Sequence, residues 1–139
     1  MAKIKPPNKQ DNSIIKPREN KKVSTNTFTP IFSFEHMIDK CHCVDCCEND
    51  DLVALVKRIR LLSKMTWNQI LSSSRYKLGC EKIARDSINE KIPTKLHGQE
   101  DINFLSLRFN GMKPMIGFRE DRIFHIIWID FDFKVYKHE

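Results

Sequence analysis

The sequence predicts a single α+β domain in which a strand and a helical hairpin precede an antiparallel sheet with the helices on one of its faces. Three observations favour this class: an apolar stripe with helical period over residues 52–62, a capping-box motif soon after it, and alternating apolar residues with turn signals from residue 102 onward. Helices followed by a run of strands are typical of α+β proteins. The 139 residues, 40% of them hydrophobic, suffice for one core.

The N-terminal segment is polar and basic. Residues 1–27 contain seven Lys or Arg against two acidic residues, together with three prolines and few apolar side chains to offset the entropy of ordering. We predict a disordered basic tail over 1–27 and one domain over 28–139. The tail is either a solubilising leader or an arm for RNA or an acidic partner. The remaining 17 basic and 16 acidic residues make the domain nearly neutral, although the whole chain carries +6.

The first part of the domain predicts one strand and one long helix. Residues 28–35 form a β-type run that Pro30 restricts to an edge or first position. Asn49-Asp50-Asp51 has the composition of a helix N-cap, with acidic groups for the positive helix end. The apolar residues that follow at helical spacing are Leu52, Val53, Leu55, Val56, Ile59 and Leu62.

A second helix and an undecided segment come next. Thr66 and Gln69 have capping-box form and predict a helix that runs to about Ser73, making a hairpin with the first. Residues 75–94 contain short apolar runs of ambiguous period before Pro93, so their secondary structure stays open.

The C-terminal third predicts three or four antiparallel strands. Apolar and polar residues alternate through Phe109, Asn110-Gly111 is a strong turn signal, and residues 115–119 make a second strand. Residues 123–131 are nearly all apolar or aromatic, which favours a central strand covered on both faces. Residues 134–137 would add a fourth strand. Short turns make antiparallel pairing of these consecutive strands the natural arrangement.

In its element order and in this C-terminal part the chain resembles the RelE/ParE superfamily of bacterial toxins. The residues that carry the resemblance are Lys95, Leu96, Gly98, Leu107, Arg108, Gly111, Ile116, Phe118, Asp121, Ile126, Ile127, Val135 and Tyr136. The resemblance implies a toxin of a toxin–antitoxin system that cleaves mRNA, with an antitoxin protein as partner and mRNA or the ribosome as target. The family usually has an arginine shortly after the glycine turn, where this chain has Lys113 and Pro114.

Cleavage through a ribose 2′-hydroxyl needs cations for the phosphate and groups that transfer protons. On the resembling segment the candidates are Arg108, Lys113 and Arg119 as cations, His138 or His125 for proton transfer, with His138 preferred, and Tyr136 for stacking on a base or orienting the phosphate. The alternative interpretation is that the arginines are solvated surface charges and the tyrosine closes the core.

Five cysteines, four of them in residues 41–47, raise the question of metal. Cys43 and Cys46 have the Cys-x-x-Cys spacing that lets two thiolates share a tetrahedral zinc, with His36, His42 or Cys80 needed to complete the site. A redox role and ordinary reduced thiols are the other two interpretations, and no cofactor is otherwise indicated.

Three functions therefore stay open: an mRNA-cleaving toxin, a non-enzymatic protein- or RNA-binding module on the same scaffold, and a small zinc-stabilised accessory protein. No apolar run is long enough for a transmembrane helix and the N-terminus lacks a secretion signal, so we expect a cytoplasmic protein without a membrane partner.

Overall fold

A computed structural model describes residues 24–73, 78–99 and 101–137. Within them lies a five-stranded mixed sheet with spatial order β1-β5-β4-β3-β2. The strands are β1 (Ile31–Ser33), β2 (Glu81–Ile83), β3 (Phe104–Asn110), β4 (Lys113–Glu120) and β5 (Ile123–Ile129). The helices are α1 (Asn49–Leu62) and α2 (Trp67–Ser72), so the α+β class is confirmed. The predicted tail and His138 lie outside the described residues, except that Thr25–Thr27 form a single 3₁₀ turn.

The two helices follow the predicted hairpin, with one shift at the start. The N-cap of α1 is Glu48 rather than a residue of Asn49-Asp50-Asp51, so both aspartates lie in the first turn, where they favour the positive end of the helix. The capping box of α2 is confirmed: the Thr66 hydroxyl accepts the Gln69 N–H at 3.2 Å, and the Gln69 side chain accepts the Thr66 N–H at 2.9 Å.

The meander β3-β4-β5 is antiparallel as predicted. The two edge strands differ from expectation. β1 pairs parallel with β5, Ser33 lying opposite His125, and β2 comes from the segment whose type the sequence left open. Residues 134–137 add no strand, because Tyr136 makes only an isolated bridge to Ile88. Residues 134–137 run under the sheet instead of alongside it.

The sheet is covered on both faces. Helices α1 and α2 pack on one face, which we call the helix face, through Leu55, Leu62, Trp67 and Ile70. The opposite face is covered by residues 84–99, 101–103 and 131–137, which form no strand or α-helix and only two 3₁₀ turns, Arg85–Ser87 and Thr94–Leu96. The apolar side chains that cover the strands there are Ile88, Ile92, Leu96, Ile102, Val135 and Tyr136. Residues 124–129 of β5 are all buried, as the prediction of a central strand required.

Candidate functional site

The structure divides the predicted site residues between the two faces of the sheet. Lys113 and Arg119 belong to the helix face and lie at opposite ends of β4, a span of about 20 Å at the usual rise per residue. Arg108 and Tyr136 belong to the opposite face. The predicted set does not converge on one point.

Lys113 is held in an ion pair. Its Nζ lies 3.0 Å from Oδ1 of Asp51, which is 5% exposed and also accepts the Asn110 side-chain N–H at 3.0 Å. A buried carboxylate needs such partners, because an unpaired charge away from water is costly. This contact fastens the β3–β4 turn to the first turn of α1.

Arg119 is engaged at the other end of β4. Its guanidinium lies 4.3 Å above the centre of the Trp67 ring, donates to the Asp121 carbonyl and donates to the Thr25 hydroxyl at 2.9 Å. Burial lowers the pKa of Arg119 and the charge of Asp121 acts against that shift. Together with Arg122, which donates to Thr29, it fixes the N-terminal segment against α2.

Arg108 and Tyr136 are neighbours beneath the sheet. The stem of Arg108 lies where a side chain at Gly79 would have to be, so glycine is required there, and its positive φ of 70° also favours glycine. Burial raises the pKa of Tyr136; Ser106 and Arg108 lower it, and the charges of Glu81 and Asp130 raise it.

Tyr136 is 8% exposed. Its ring is therefore covered and cannot stack on a base in this arrangement, although the charge of the half-buried Arg108 still acts on its hydroxyl.

The Cys-x-x-Cys pair has the geometry of a zinc half-site. The Sγ atoms of Cys43 and Cys46 are 3.7 Å apart, close to the separation of about 3.8 Å that two thiolates adopt on tetrahedral zinc. Within the part of the chain that is described, no third ligand group joins this pair. Cys47 points to the Cys43 carbonyl, and burial with the nearby charges of Asp51, Cys46 and Cys43 raises its pKa to about 11. Zinc at Cys43 and Cys46 stays a prediction.

His42, adjacent to this pair, is buried and belongs to a cluster of polar contacts that we call the His42 clasp. Its Nε2 lies 2.8 Å from Oδ1 of Asp132, and Oε2 of Glu90 lies 3.2 Å from Nδ1, off the line of a hydrogen bond. Oδ1 of the buried Asp130 accepts the N–H groups of Lys134 and Val135. These contacts join three irregular segments, so we interpret the clasp as structural.

A surface on α1 was not expected from the helical pattern. Val53 and Val56, which the spacing placed on the apolar side, are 52% and 64% exposed, and Leu61 is 47% exposed. The stripe of apolar residues is wider than the contact with the sheet, which buries Leu55 and Leu62 instead. Lys57, Arg60 and Lys64 lie among the exposed apolar side chains. We call this set the outer α1 surface.

Comparison of the chain with protein-family models, curated proteins and solved structures gave no match. The fold and the local geometry alone carry the functional argument. Over the described ranges, neither helix is long and apolar enough to cross a membrane.

Proposed function

We propose that this protein is an interaction protein on a RelE/ParE-like scaffold, and that the outer α1 surface binds an acidic amphipathic segment of a partner protein, the part an antitoxin would play. The observation that carries the proposal is the exposure of Val53, Val56 and Leu61 among cations of the same helix. Exposed apolar side chains gathered on one surface mark interaction sites.

Charge selects the kind of partner. Between Leu52 and Lys64 the sequence has four basic residues and no acidic one. Arg58 is turned inward and donates to the Arg108 carbonyl at 2.6 Å, while Lys57, Arg60 and Lys64 stay exposed. A segment with carboxylates beside its apolar face would complement this surface, and like charge would be excluded.

Two shallow cavities flank Leu61 and give such a segment places for its apolar side chains. One of about 270 Å³ is lined by Ala54, Lys57, Arg58, Leu61 and Phe109. The other, of about 360 Å³, is lined by Lys57, Arg60, Leu61 and Lys64. Helix-in-groove recognition uses anchors spaced by one turn, which these adjoining cavities suit.

The test uses a synthetic helical peptide with leucines on one face and glutamates beside them, and a scrambled peptide of the same composition. Fluorescence anisotropy should show the full-length protein binding the amphipathic peptide and not the scrambled one, with affinity falling as salt rises. Val56→Glu and Lys57→Glu should each weaken binding by about 10-fold or more. Lys82→Glu, which changes an exposed lysine on β2, serves as the matched control.

Equal binding of both peptides, or binding that Val56→Glu and Lys57→Glu leave unchanged, would refute the proposal. Circular dichroism of each variant separates loss of the surface from loss of the fold. Neither residue is buried, so the variants should fold.

RNA cleavage is a second proposal, and the proximity of Arg108 to Tyr136 favours it. A guanidinium is suited to phosphate, and a tyrosine hydroxyl beside it can orient that group. Lys113 and Arg119 are committed to Asp51 and Trp67, so in this proposal they support the fold rather than the reaction.

The proposal predicts growth arrest when the soluble wild-type chain is expressed alone. Arg108→Lys and Tyr136→Phe should relieve the arrest while the protein stays folded. The first removes the planar guanidinium group and the second the hydroxyl, each with little change of side-chain volume. Lys134→Ala, at an exposed position, should leave the arrest intact. Normal growth with abundant soluble wild type would eliminate RNA cleavage and leave the partner-binding proposal untouched.

A further inference from the structure

A second group of potential ligands, separate from the cysteine pair, lies at the junction of β1 and β5. Glu35 and His36 lie just beyond the end of β1 at Ser33, and the parallel pairing of that strand brings them to His125 of β5. One ligand atom from each of the three residues lies within 4.8 Å of the other two. Two imidazoles and one carboxylate are a common ligand set for zinc.

His125 is prepared for such a role by its surroundings. It is 3% exposed, its ring stacks on Phe118 at 4.7 Å between centres, and its Nε2 lies 3.0 Å from Oε1 of Glu120. With Nε2 donating to that carboxylate, a neutral ring has its lone pair on Nδ1. A carboxylate that holds the distal N–H of a metal-binding histidine is the usual supporting contact in protein metal sites.

The Nδ1 atoms of His125 and His36 are both buried and both lack a hydrogen-bond partner. The two rings also contact each other, with centres 4.8 Å apart and planes at 68°. A buried polar atom without a partner is costly, and proteins rarely leave two of them side by side. A bound cation would satisfy both lone pairs at once.

We propose that Glu35, His36 and His125 form a binding site for a divalent transition metal of the zinc class, with Glu120 as the residue that positions His125. Ligand atoms on tetrahedral zinc lie about 3.4 Å apart, so the three side chains, now within 4.8 Å of one another, would close in by at most about 1.4 Å on binding. Glu35 is exposed and free to swing by that amount.

The site has an entry path and a fixed frame. Glu35 and His36 also line a cavity of about 340 Å³ that reaches the surface between residues 35–40 and 91–95. The backbone of His125 approaches β4 so closely that a Cβ at Gly117 would overlap the His125 carbonyl. His125 is therefore held on a paired strand, whereas Glu35 and His36 lie in a loop beyond β1.

The test loads chelator-treated full-length protein with Zn²⁺ and with Co²⁺. Equilibrium titration should give about one ion per chain at this site, and thermal melting should shift upward on binding. Glu35→Gln and His36→Gln should each lower the affinity by about 10-fold or more, and Glu120→Gln by about 10- to 100-fold. His97→Gln is the matched control, since His97 is exposed and lies outside the group.

Cobalt distinguishes this site from the cysteine pair. Ligation by nitrogen and oxygen gives weak visible d–d bands alone, whereas thiolate ligation adds intense near-ultraviolet charge transfer. We expect the d–d bands to persist in Cys43→Ser/Cys46→Ser and to vanish in Glu35→Gln/His36→Gln. The proposal would be overturned if the spectrum were lost only in Cys43→Ser/Cys46→Ser. It would also be overturned if the protein bound no metal, or if Glu35→Gln and His36→Gln left metal binding unchanged.

Discussion

At the scale of single residues, the local environment changed the role of several groups that the sequence singled out. Lys113 and Arg119 have the charge expected of phosphate-binding residues, but each already has partners within the protein, Asp51 and Trp67. Residue type predicts chemistry that a side chain is able to perform, while its contacts decide whether it is available. Arg108 and Tyr136 were the predicted site residues that the structure brought together.

Cys47 gives the clearest prediction at this scale. Its pKa of about 11 against an ordinary value of 9.0 means that the thiolate fraction at pH 8 should be about 100-fold smaller than that of an unperturbed thiol. Alkylation with iodoacetamide at pH 8, followed by peptide mass spectrometry, should therefore modify the exposed Cys41 and Cys46 well before Cys47.

Raising the pH toward 11 should increase the alkylation rate of Cys47 steeply, because its thiolate fraction grows as the pH approaches its pKa. If Cys47 reacted as fast as Cys41 at pH 8 in folded protein, the burial and the charge of Asp51 would not control it. Alkylation in denaturant, where all thiols are exposed, serves as the reference.

At the scale of elements, local sequence signals predicted structure best where residues close in sequence make the capping hydrogen bonds of the element. The capping box of α2 involves only Thr66 and Gln69, and both hydrogen bonds formed as predicted. The N-terminus of α1 was less accurate: Glu48 rather than Asn49 is the N-cap, and no side chain caps it. Asp50 and Asp51 lie in the first turn of α1 instead. There the Asp51 carboxylate accepts hydrogen bonds from the side chains of Asn110 and Lys113, which are distant in sequence.

The α2 cap is testable by a pair of substitutions. Thr66→Ala removes the hydroxyl that accepts the Gln69 N–H and should lower the free energy of unfolding by about 1 kcal/mol. Thr66→Ser keeps the hydroxyl and should cost markedly less. Urea denaturation of the three proteins, monitored by tryptophan fluorescence, measures the difference because Trp67 is the first residue of the helix.

An equal loss of unfolding free energy in the alanine and serine variants would assign the effect to the threonine methyl group instead of the capping hydrogen bond. Unchanged stability in Thr66→Ala would mean that the packing of Trp67 alone holds α2 in place.

At the scale of the whole molecule, the His42 clasp joins the cysteine loop, the segment around Glu90 and the turn after β5. Burial acts to raise the pKa of Asp132, but the hydrogen bond and charge of His42, with the backbone and charge of Lys134, lower it overall. A carboxyl with a lowered pKa in the folded state stabilises the fold above its ordinary value of 3.8, and this contribution is lost as pH falls through the lower, folded value.

Asp132→Asn should therefore destabilise the protein by about 1 kcal/mol at pH 7, a modest figure because the side chain is partly solvated. The difference from wild type should begin to shrink below about pH 4, where the carboxyl of the unfolded chain becomes protonated, and should disappear once the pH falls below the lowered pKa of the folded state. Denaturation at pH 7, 5 and 3 measures it, with Asp45→Asn at an exposed position as control. A difference that stayed constant with pH would contradict the ionic role of Asp132.

The sequence by itself determined the class of fold, the two helices and the three central strands, because periodicity and turn residues act over a few neighbouring positions. It could not determine which strand pairs with β1, which segment forms β2, or which residues cover the face opposite the helices. These features depend on contacts between segments that are distant in sequence. The Cys43 and Cys46 pair, three residues apart, could be predicted from spacing alone.

Only the tertiary structure decided which functional groups meet. Parallel pairing of β1 with β5 brought Glu35 and His36 to His125, which are about ninety residues apart in sequence. Side chains along each strand alternate between the two faces of the sheet. Lys113 and Arg119 on β4 lie on the helix face and Arg108 on β3 lies on the opposite face, so the sheet separates them. Local pattern sets the elements, and long-range register sets the sites.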